Sequence, residues 1–315
     1  MRQVTAAATL TILSLMALQA RQPTPEIRHY PLPADVTFPE GMAYDQKERA
    51  AFAGSLRTQA IGRIALDGTE SGIISPPGAL FQDMHGMTVD NAGRLWVAGG
   101  RSGQIAVLDS RTGRVLKRFQ TPTDPAPLVN DVAVVSSSAY FTDTWRPTLF
   151  RITFADDQFS EAEPWLPFTG TPAEYAQGKP NLNGIAASAD GRYLVVVQTH
   201  NGLLFRVGIA DRSVTPIDLG GETVISGDGL VLDARTLYVL RPAGPDIVTI
   251  ELSDDLTTGR VVSRFKDPAV NSPTTAAKAG DRLLVVNSQL NKQATTNADP
   301  RYEIVSIPLS MLSGK

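Results

Sequence analysis

Residues 183–207 read NGIAASADGRYLVVVQTHNGLLFRV. A short apolar run leads to the turn Asp190-Gly191, a second apolar run covers residues 193–197, and a third covers residues 203–207 after another turn. Apolar runs of this length, separated by Asp-Gly or Asn-Gly pairs, are typical of antiparallel β-hairpins. The stretch therefore predicts three successive strands of one sheet.

This pattern of three apolar runs separated by turns recurs along the chain. In several copies a weaker fourth apolar run follows, as at residues 115–119 and 261–265. The six copies begin 45, 45, 53, 45 and 45 residues apart, at Glu40, His85, Asn130, Asn183, Asp228 and Pro273. Four strands in about 45 residues form one propeller blade. The sequence therefore predicts an all-β fold, a six-bladed β-propeller with four antiparallel strands per blade.

The sixth copy has no room for a fourth strand, because few residues follow the run at 302–307. Residues 26–32 precede the first blade and have the composition of a strand. We expect this N-terminal strand to pair at the outer edge of the last blade and close the ring. The predicted domain spans residues 26–309, and its one irregularity is the longer step around residues 168–180.

Residues 1–20 combine Arg2 with a nearly uncharged run rich in Ala, Leu and Thr. This pattern predicts a signal peptide, cleaved after Ala20, with an uncleaved anchor as the alternative. We expect the folded protein to be secreted or periplasmic, with no membrane contact beyond such an anchor.

The composition excludes several classes of protein. The chain has 315 residues, with 29 basic and 32 acidic side chains, and this balance predicts no nucleic-acid partner. The absence of Cys removes disulfides, thiolate nucleophiles and Cys-built metal sites. Any metal must be held by oxygen atoms or by the three histidines.

The residues that begin the six innermost strands should ring one mouth of the central channel. Four of them carry side-chain oxygen atoms: Glu40, Asn130, Asn183 and Asp228. Two carboxylates balance a divalent cation and two amides add oxygen ligands, a set that suits Ca²⁺, with other divalent cations possible. The alternative is that Glu-Gly, Asn-Gly and Asp-Gly are turn residues. Pairs such as Asp190-Gly191, between the first and second strands, are expected to be such turns.

The sequence resembles the calcium-dependent six-bladed propeller hydrolases that include the senescence marker protein/gluconolactonase family, the paraoxonases and diisopropyl fluorophosphatase; strictosidine synthase-like propellers are also similar. The resemblance covers nearly all of the mature chain. It is carried by four motifs, Phe38-Pro39-Glu40-Gly41, Val129-Asn130-Asp131, Leu182-Asn183-Gly184 and Gly227-Asp228-Gly229. It implies that Glu40, Asn130, Asn183 and Asp228 hold one catalytic calcium ion in the channel. His85-Gly86 also resembles the channel histidine of the paraoxonases.

Two positions depart from that family. Leu128 stands where sugar-acid lactonases tend to carry Arg, and Asn271-Ser272-Pro273 stands where some members carry a histidine. A strongly anionic sugar substrate is therefore not favoured.

The loops between second and third strands should open at the same mouth. In blade three, Trp145 is expected to form an apolar wall, with Asp143 and Arg146 as polar handles for substrate. His200 is a further candidate for contact with substrate.

The predicted function is calcium-dependent hydrolysis of a small-molecule lactone or related ester, in which the metal polarises the carbonyl for attack by water. Asp228 and His85 are the two candidates for the general base. The alternative is a non-catalytic propeller that binds a ligand or partner, with a structural calcium.

Overall fold

A computed structural model describes residues 26–244, 246–292 and 301–314, and shows six antiparallel sheets arranged as a six-bladed propeller. The predicted fold class is confirmed. The predicted signal peptide, residues 1–20, lies outside the described residues.

In blades one, two, four and five, consecutive strands of the chain run from the channel to the outer edge. The N-terminal strand is β1 (Arg28–Pro31). Blade one contains β2 (Pro39–Asp45), β3 (Ala50–Ser55), β4 (Ile61–Ala65) and β5 (Ser71–Ser75). Blade two contains β6 (Met87–Val89), β7 (Arg94–Gly99), β8 (Gln104–Asp109) and β9 (Val115–Gln120). Blade three contains β10 (Val129–Val135), β11 (Ser138–Asp143), β12 (Thr148–Ala155), the short β13 (Gln158–Phe159) and β14 (Glu163–Pro167).

The second half of the ring repeats this order. Blade four contains β15 (Leu182–Ala187), β16 (Tyr193–Gln198), β17 (Leu203–Gly208) and β18 (Val214–Pro216). Blade five contains β19 (Leu230–Asp233), β20 (Thr236–Arg241), β21 (Asp246–Leu252) and β22 (Gly259–Phe265). Blade six contains β23 (Pro273–Ala279), β24 (Arg282–Asn287) and β25 (Glu303–Pro308). A 3-10 helix (Leu290–Lys292) and α1 (Leu309–Leu312) are short, and no helix in the described part of the chain has the length and apolarity to cross a bilayer.

The ring closes as predicted. Strand β1 pairs antiparallel with β25, with His29 opposite Val305, and becomes the fourth strand of blade six. Both ends of the folded chain therefore lie in one blade, so that opening the ring requires this strand to detach.

The hydrophobic core lies between neighbouring blades. In β16, Leu194 and Val196 pack in the cluster shared with blade three, whereas Val195 and Val197 pack in the cluster shared with blade five. Both faces of the strand are buried, because successive side chains of a strand point to opposite sides of the sheet. This is why the central strands read as continuous apolar runs.

Candidate metal centre

Three of the four predicted ligands lie at irregularities of the innermost strands. In blade one the pairing of β2 with β3 is interrupted between Pro39 and Met42, and the two residues in the interruption are Glu40 and Gly41. Asn130 and Asn183 occupy the corresponding interruptions of β10 and β15. Such bulges release residues from the ladder and re-aim their side chains. The bulges thereby direct these three ligand candidates out of the sheet at the channel end of their blades, whereas Asp228 lies two residues before β19.

The strand register corrects one position in the predicted set of six equivalent channel-mouth residues. In blade six the pairing is interrupted between Pro273 and Ala276, so the residue equivalent to Glu40 is Thr274, one position after the residue predicted. Thr274 donates a hydrogen bond to the backbone oxygen of Glu40 (3.0 Å). Blade six therefore supports the position of a ligand from blade one.

The glycine that follows a ligand candidate has a packing role. Neither Gly41 nor Gly184 has the left-handed backbone of a turn glycine, unlike Gly191, whose φ is +69°. A Cβ at Gly41 would lie 2.0 Å from the backbone oxygen of His85, and a Cβ at Gly184 would lie 2.1 Å from that of Asp228. These glycines let successive innermost strands approach closely around the channel. The turn interpretation is therefore wrong for these two positions and correct for Asp190-Gly191.

Two buried carboxylate oxygens in this ring have no hydrogen-bond partner in the described structure. They are Oε2 of Glu40 and Oδ1 of Asp228. Asn183 lies close enough to hydrogen-bond the Asp228 carboxylate. The amide nitrogen of Asn130 donates to Thr144 Oγ1 (2.8 Å), which leaves the amide oxygen for another partner. Unpaired buried carboxylate oxygens beside two amides fit the ligand preference of a hard divalent cation.

No three His, Cys, Asp or Glu side chains of the described residues are grouped so as to hold a metal ion by themselves. A cation at this mouth would therefore depend on Asn130 and Asn183 as well as on the two carboxylates.

His85 lies between two carboxylates. Its Nδ1 is 3.4 Å from Glu40 Oε1 and its Nε2 is 3.2 Å from Asp83 Oδ2, at ion-pair distances but without good hydrogen-bond alignment. Burial by itself lowers the pKa of His85, but the charges of Glu40 and Asp83 outweigh it and raise the pKa to about 10. Without a bound cation, the two neighbouring carboxylates therefore favour the protonated, positively charged imidazole. This differs from the expected neutral histidine, which could accept a proton.

Asp131 is a channel residue that sequence reasoning missed. Its carboxylate accepts hydrogen bonds from the backbone nitrogens of Val132 (2.8 Å) and Ile185 (3.1 Å), and so joins blades three and four. Burial is the main reason that its pKa rises to about 7, and the charge of Glu40 adds to the effect. Its position was visible in the sequence, because blades one, two, four and five carry Gly after the channel-mouth residue and blade three carries Asp.

Asp228 experiences the same crowding of negative charge. Burial raises the pKa of its carboxyl group well above the usual value, and the carboxylates of Glu40 and Asp131 raise it further. Bringing a divalent cation to the channel mouth would relieve this repulsion.

Below the mouth the innermost strands line a cavity of about 280 Å³. Its walls include Met42, Met87, Ile185 and Leu230, and Asp131 also lines it. The cavity continues the channel along the propeller axis away from the mouth.

The predicted substrate residues of blade three divide into two groups. Asp143 and Arg146 are buried and form an ion pair, with Arg146 Nη2 2.6 Å from Asp143 Oδ2. Asp143 also accepts hydrogen bonds from the backbone nitrogens of Trp145 (3.0 Å) and Arg146 (2.8 Å). The expected polar handles are thus structural, because burial commits both side chains to the loop. Trp145 is 40% exposed, and His200 is partly exposed with Nδ1 3.2 Å from the backbone oxygen of Pro180.

Several solved structures have a fold similar to that of this chain over most of its length. A gluconolactonase from Xanthomonas campestris has a TM-score of 0.62 at 17% identity, over 94% of both chains. Regucalcin from Agrobacterium tumefaciens, described as a calcium-binding protein, has a TM-score of 0.60 at 17% identity, over 89% of this chain and 93% of regucalcin. The fold is that of the gluconolactonase and regucalcin propellers.

The same propeller architecture also occurs in proteins of other description. The allergen Mala s 1 of Malassezia sympodialis has a TM-score of 0.65 at 14% identity, over 91% of this chain and 97% of the allergen. No protein-family model and no curated protein matches the sequence. At these identities the likeness to gluconolactonase-type propellers establishes the fold, and function has to be argued from the channel-mouth residues.

Proposed function

We propose that the protein is a calcium-dependent hydrolase of lactones or related esters. The observation that carries the proposal is the pair of unpaired, buried carboxylate oxygens, Glu40 Oε2 and Asp228 Oδ1, at the mouth of a propeller channel. Asn130 and Asn183 complete the proposed ligand set. The shared fold with a gluconolactonase and with a calcium-binding regucalcin supports the same assignment.

The four side chains would bind the ion through oxygen atoms alone, which favours Ca²⁺ over Zn²⁺. When bound, calcium would polarise the carbonyl oxygen of an ester and stabilise negative charge that develops on it.

Asp228 is the better of the two proposed bases. Its Oδ1 makes no hydrogen bond in the described structure and is free to accept a proton from an attacking water. Both ring nitrogens of His85 face carboxylates, so neither is available to a water molecule. His85 instead balances the charge of Glu40.

Two residues of the mouth loops are proposed to contact the substrate. Trp145 presents an exposed aromatic face, which we propose as the apolar wall, and His200 is the proposed polar contact. Leu128, two residues before Asn130, is buried, and no Arg stands at its position to hold a substrate carboxylate. These residues favour an uncharged lactone or ester as substrate.

The test is a panel of uncharged lactones and esters, measured with calcium, with EDTA, and after calcium is restored. We expect EDTA to abolish hydrolysis and added calcium to restore it. The Asp228→Asn variant should show no hydrolysis under any of the three conditions. Hydrolysis that is unaffected by EDTA would contradict the proposed role of the cation.

A second candidate is a propeller that binds a ligand without turnover. It is favoured by the Glu40–His85 ion pair, which holds the channel mouth together without a substrate. Calcium binding with no hydrolysis of any lactone, ester or phosphotriester would select this alternative.

We also propose that the protein is secreted or periplasmic, and fractionation of cells that produce the full chain would test this.

A further inference from the structure

Thr144 connects the ligand segments of two blades. Its hydroxyl accepts a hydrogen bond from the Asn130 amide (2.8 Å) and donates one to the backbone oxygen of Leu182 (2.8 Å), the residue before Asn183. Its backbone nitrogen donates to Leu128, two residues before Asn130, at 2.9 Å. One buried residue thus contacts both segments that carry the amide ligands.

Thr199 makes the corresponding contacts one blade further along. Its hydroxyl donates to the backbone oxygen of Gly227 (2.9 Å), the residue before Asp228. Its backbone nitrogen donates to Asn181 (2.9 Å), two residues before Asn183, and its backbone oxygen accepts from Ser226 (2.9 Å). The register of these bonds is the same as that of Thr144.

Among the described residues, the equivalent position of the other blades makes no such bridge. The equivalent residues after the second strand are Leu56, Gly100, Pro242 and Ser288. Only Ser288 has a hydroxyl group, and it donates within its own blade, to the backbone oxygen of Ser272 (2.6 Å). At this position, hydroxyl bridges between blades therefore join blades three, four and five, which carry three successive ligand candidates.

We propose that Thr144 and Thr199 are positioning residues that set the spacing of Asn130, Asn183 and Asp228 for a cation. The inference rests on the proposed calcium site, and extends it to residues that would not touch the ion. A hydroxyl that bridges two segments fixes their separation, and partners behind metal ligands typically govern affinity by about 10–100-fold.

The experiment compares Thr144→Val and Thr199→Val with the parent full chain, using calcium titration by calorimetry and the rise in melting temperature that calcium causes. Valine keeps the shape of threonine and removes the hydroxyl. We expect calcium affinity to fall about tenfold or more in Thr144→Val. Thr144→Ser, which restores the hydroxyl, should return affinity to within about threefold of the parent, since the bridging bonds are regained.

Thr249→Val is the matched control. Thr249 is also buried, and its hydroxyl also donates to a backbone oxygen, that of Leu312 (2.9 Å), at the outer part of blade five. Loss of this hydrogen bond in Thr249→Val should lower the free energy of unfolding and leave calcium affinity unchanged. If Thr144→Val does not fold, as judged by circular dichroism, Thr144→Ala against Thr144→Ser provides the same comparison.

The outcomes separate the two proposals. If the parent binds calcium and both valine variants bind it as tightly as Thr249→Val, the positioning role is overturned and the calcium site stands. If the parent binds calcium but hydrolyses nothing, while the valine variants bind calcium more weakly than Thr249→Val does, the positioning role stands and the hydrolase proposal fails. If the parent binds no calcium, both are overturned.

Discussion

Nδ1 of His85 lies 3.4 Å from Oε1 of Glu40, so that a histidine predicted to be a general base pairs with a predicted metal ligand. Both side chains are largely buried, where an unpaired charge is costly. In the cation-free protein the imidazole holds part of the positive charge that the channel mouth requires.

The substitution His85→Gln removes the positive charge and leaves the Glu40 carboxylate without its partner. We expect the free energy of unfolding in EDTA to fall by about 3 kcal/mol. Calcium should recover much of this loss, because the ion supplies the missing charge. Urea denaturation with and without calcium measures both effects. Equal losses under the two conditions would mean that His85 does not balance Glu40.

The pairing of His85 with Glu40 also makes the free energy of unfolding depend on pH. Although burial opposes it, the charges of Glu40 and Asp83 raise the pKa of His85 to about 10 in the folded protein, against about 6.5 in the unfolded chain. The resulting stability is complete below about pH 6.5 and is lost as the pH rises through about 10, because the folded state binds the proton more tightly. In EDTA, the difference in stability between the parent and His85→Gln should therefore shrink between pH 6 and pH 10.5. A constant difference across that range would contradict the pairing.

The two carboxylate ligands should affect calcium binding directly. Glu40→Gln and Asp228→Asn each remove one negative charge from the proposed site, and affinity follows the charge of the ligand set. We expect calorimetry to show affinity at least about tenfold weaker in each variant. Glu161→Gln, at an exposed residue of blade three, is the control and should bind as the parent does. Normal calcium binding in both site variants would remove these residues from the ligand set.

Two residues of the blade-three loop should have different roles, Arg146 in the stability of the protein and Trp145 in substrate binding. Arg146→Ala leaves the buried Asp143 carboxylate unpaired, and we expect the free energy of unfolding to fall by about 3–5 kcal/mol. Trp145→Ala changes a partly exposed side chain, so stability should change by less than about 1 kcal/mol while KM for an apolar lactone rises. Thermal melting and steady-state kinetics on both variants distinguish these roles. A rise in KM in Arg146→Ala without loss of stability would restore Arg146 as a substrate contact.

Much of the fold could be predicted because its signals are local and repeat. Each blade is a run of short apolar strands and turns within about 45 residues, so the copies from Glu40 to Asp228 are visible without knowing which strands meet. The closing strand followed from counting strands in the last copy, and β1 pairs with β25 as expected. The one error of register, Pro273 for Thr274, arose because a bulge changes which residue leaves the sheet without changing the apolar pattern.

The chemistry of the mouth was decided by contacts between blades. Glu40 and His85 are 45 residues apart, and Thr144 and Leu182 are 38 residues apart, so no local pattern shows that they touch. Asp143 and Arg146 are close in sequence, but their burial depends on the loop that packs over them, where the Tyr175 hydroxyl donates to the Asp143 backbone oxygen. Periodicity in the sequence specifies which residues reach the channel, since strand alternation and turn spacing are local. Charge state and hydrogen bonding at the channel depend on which blades become neighbours, and only closure of the ring establishes that.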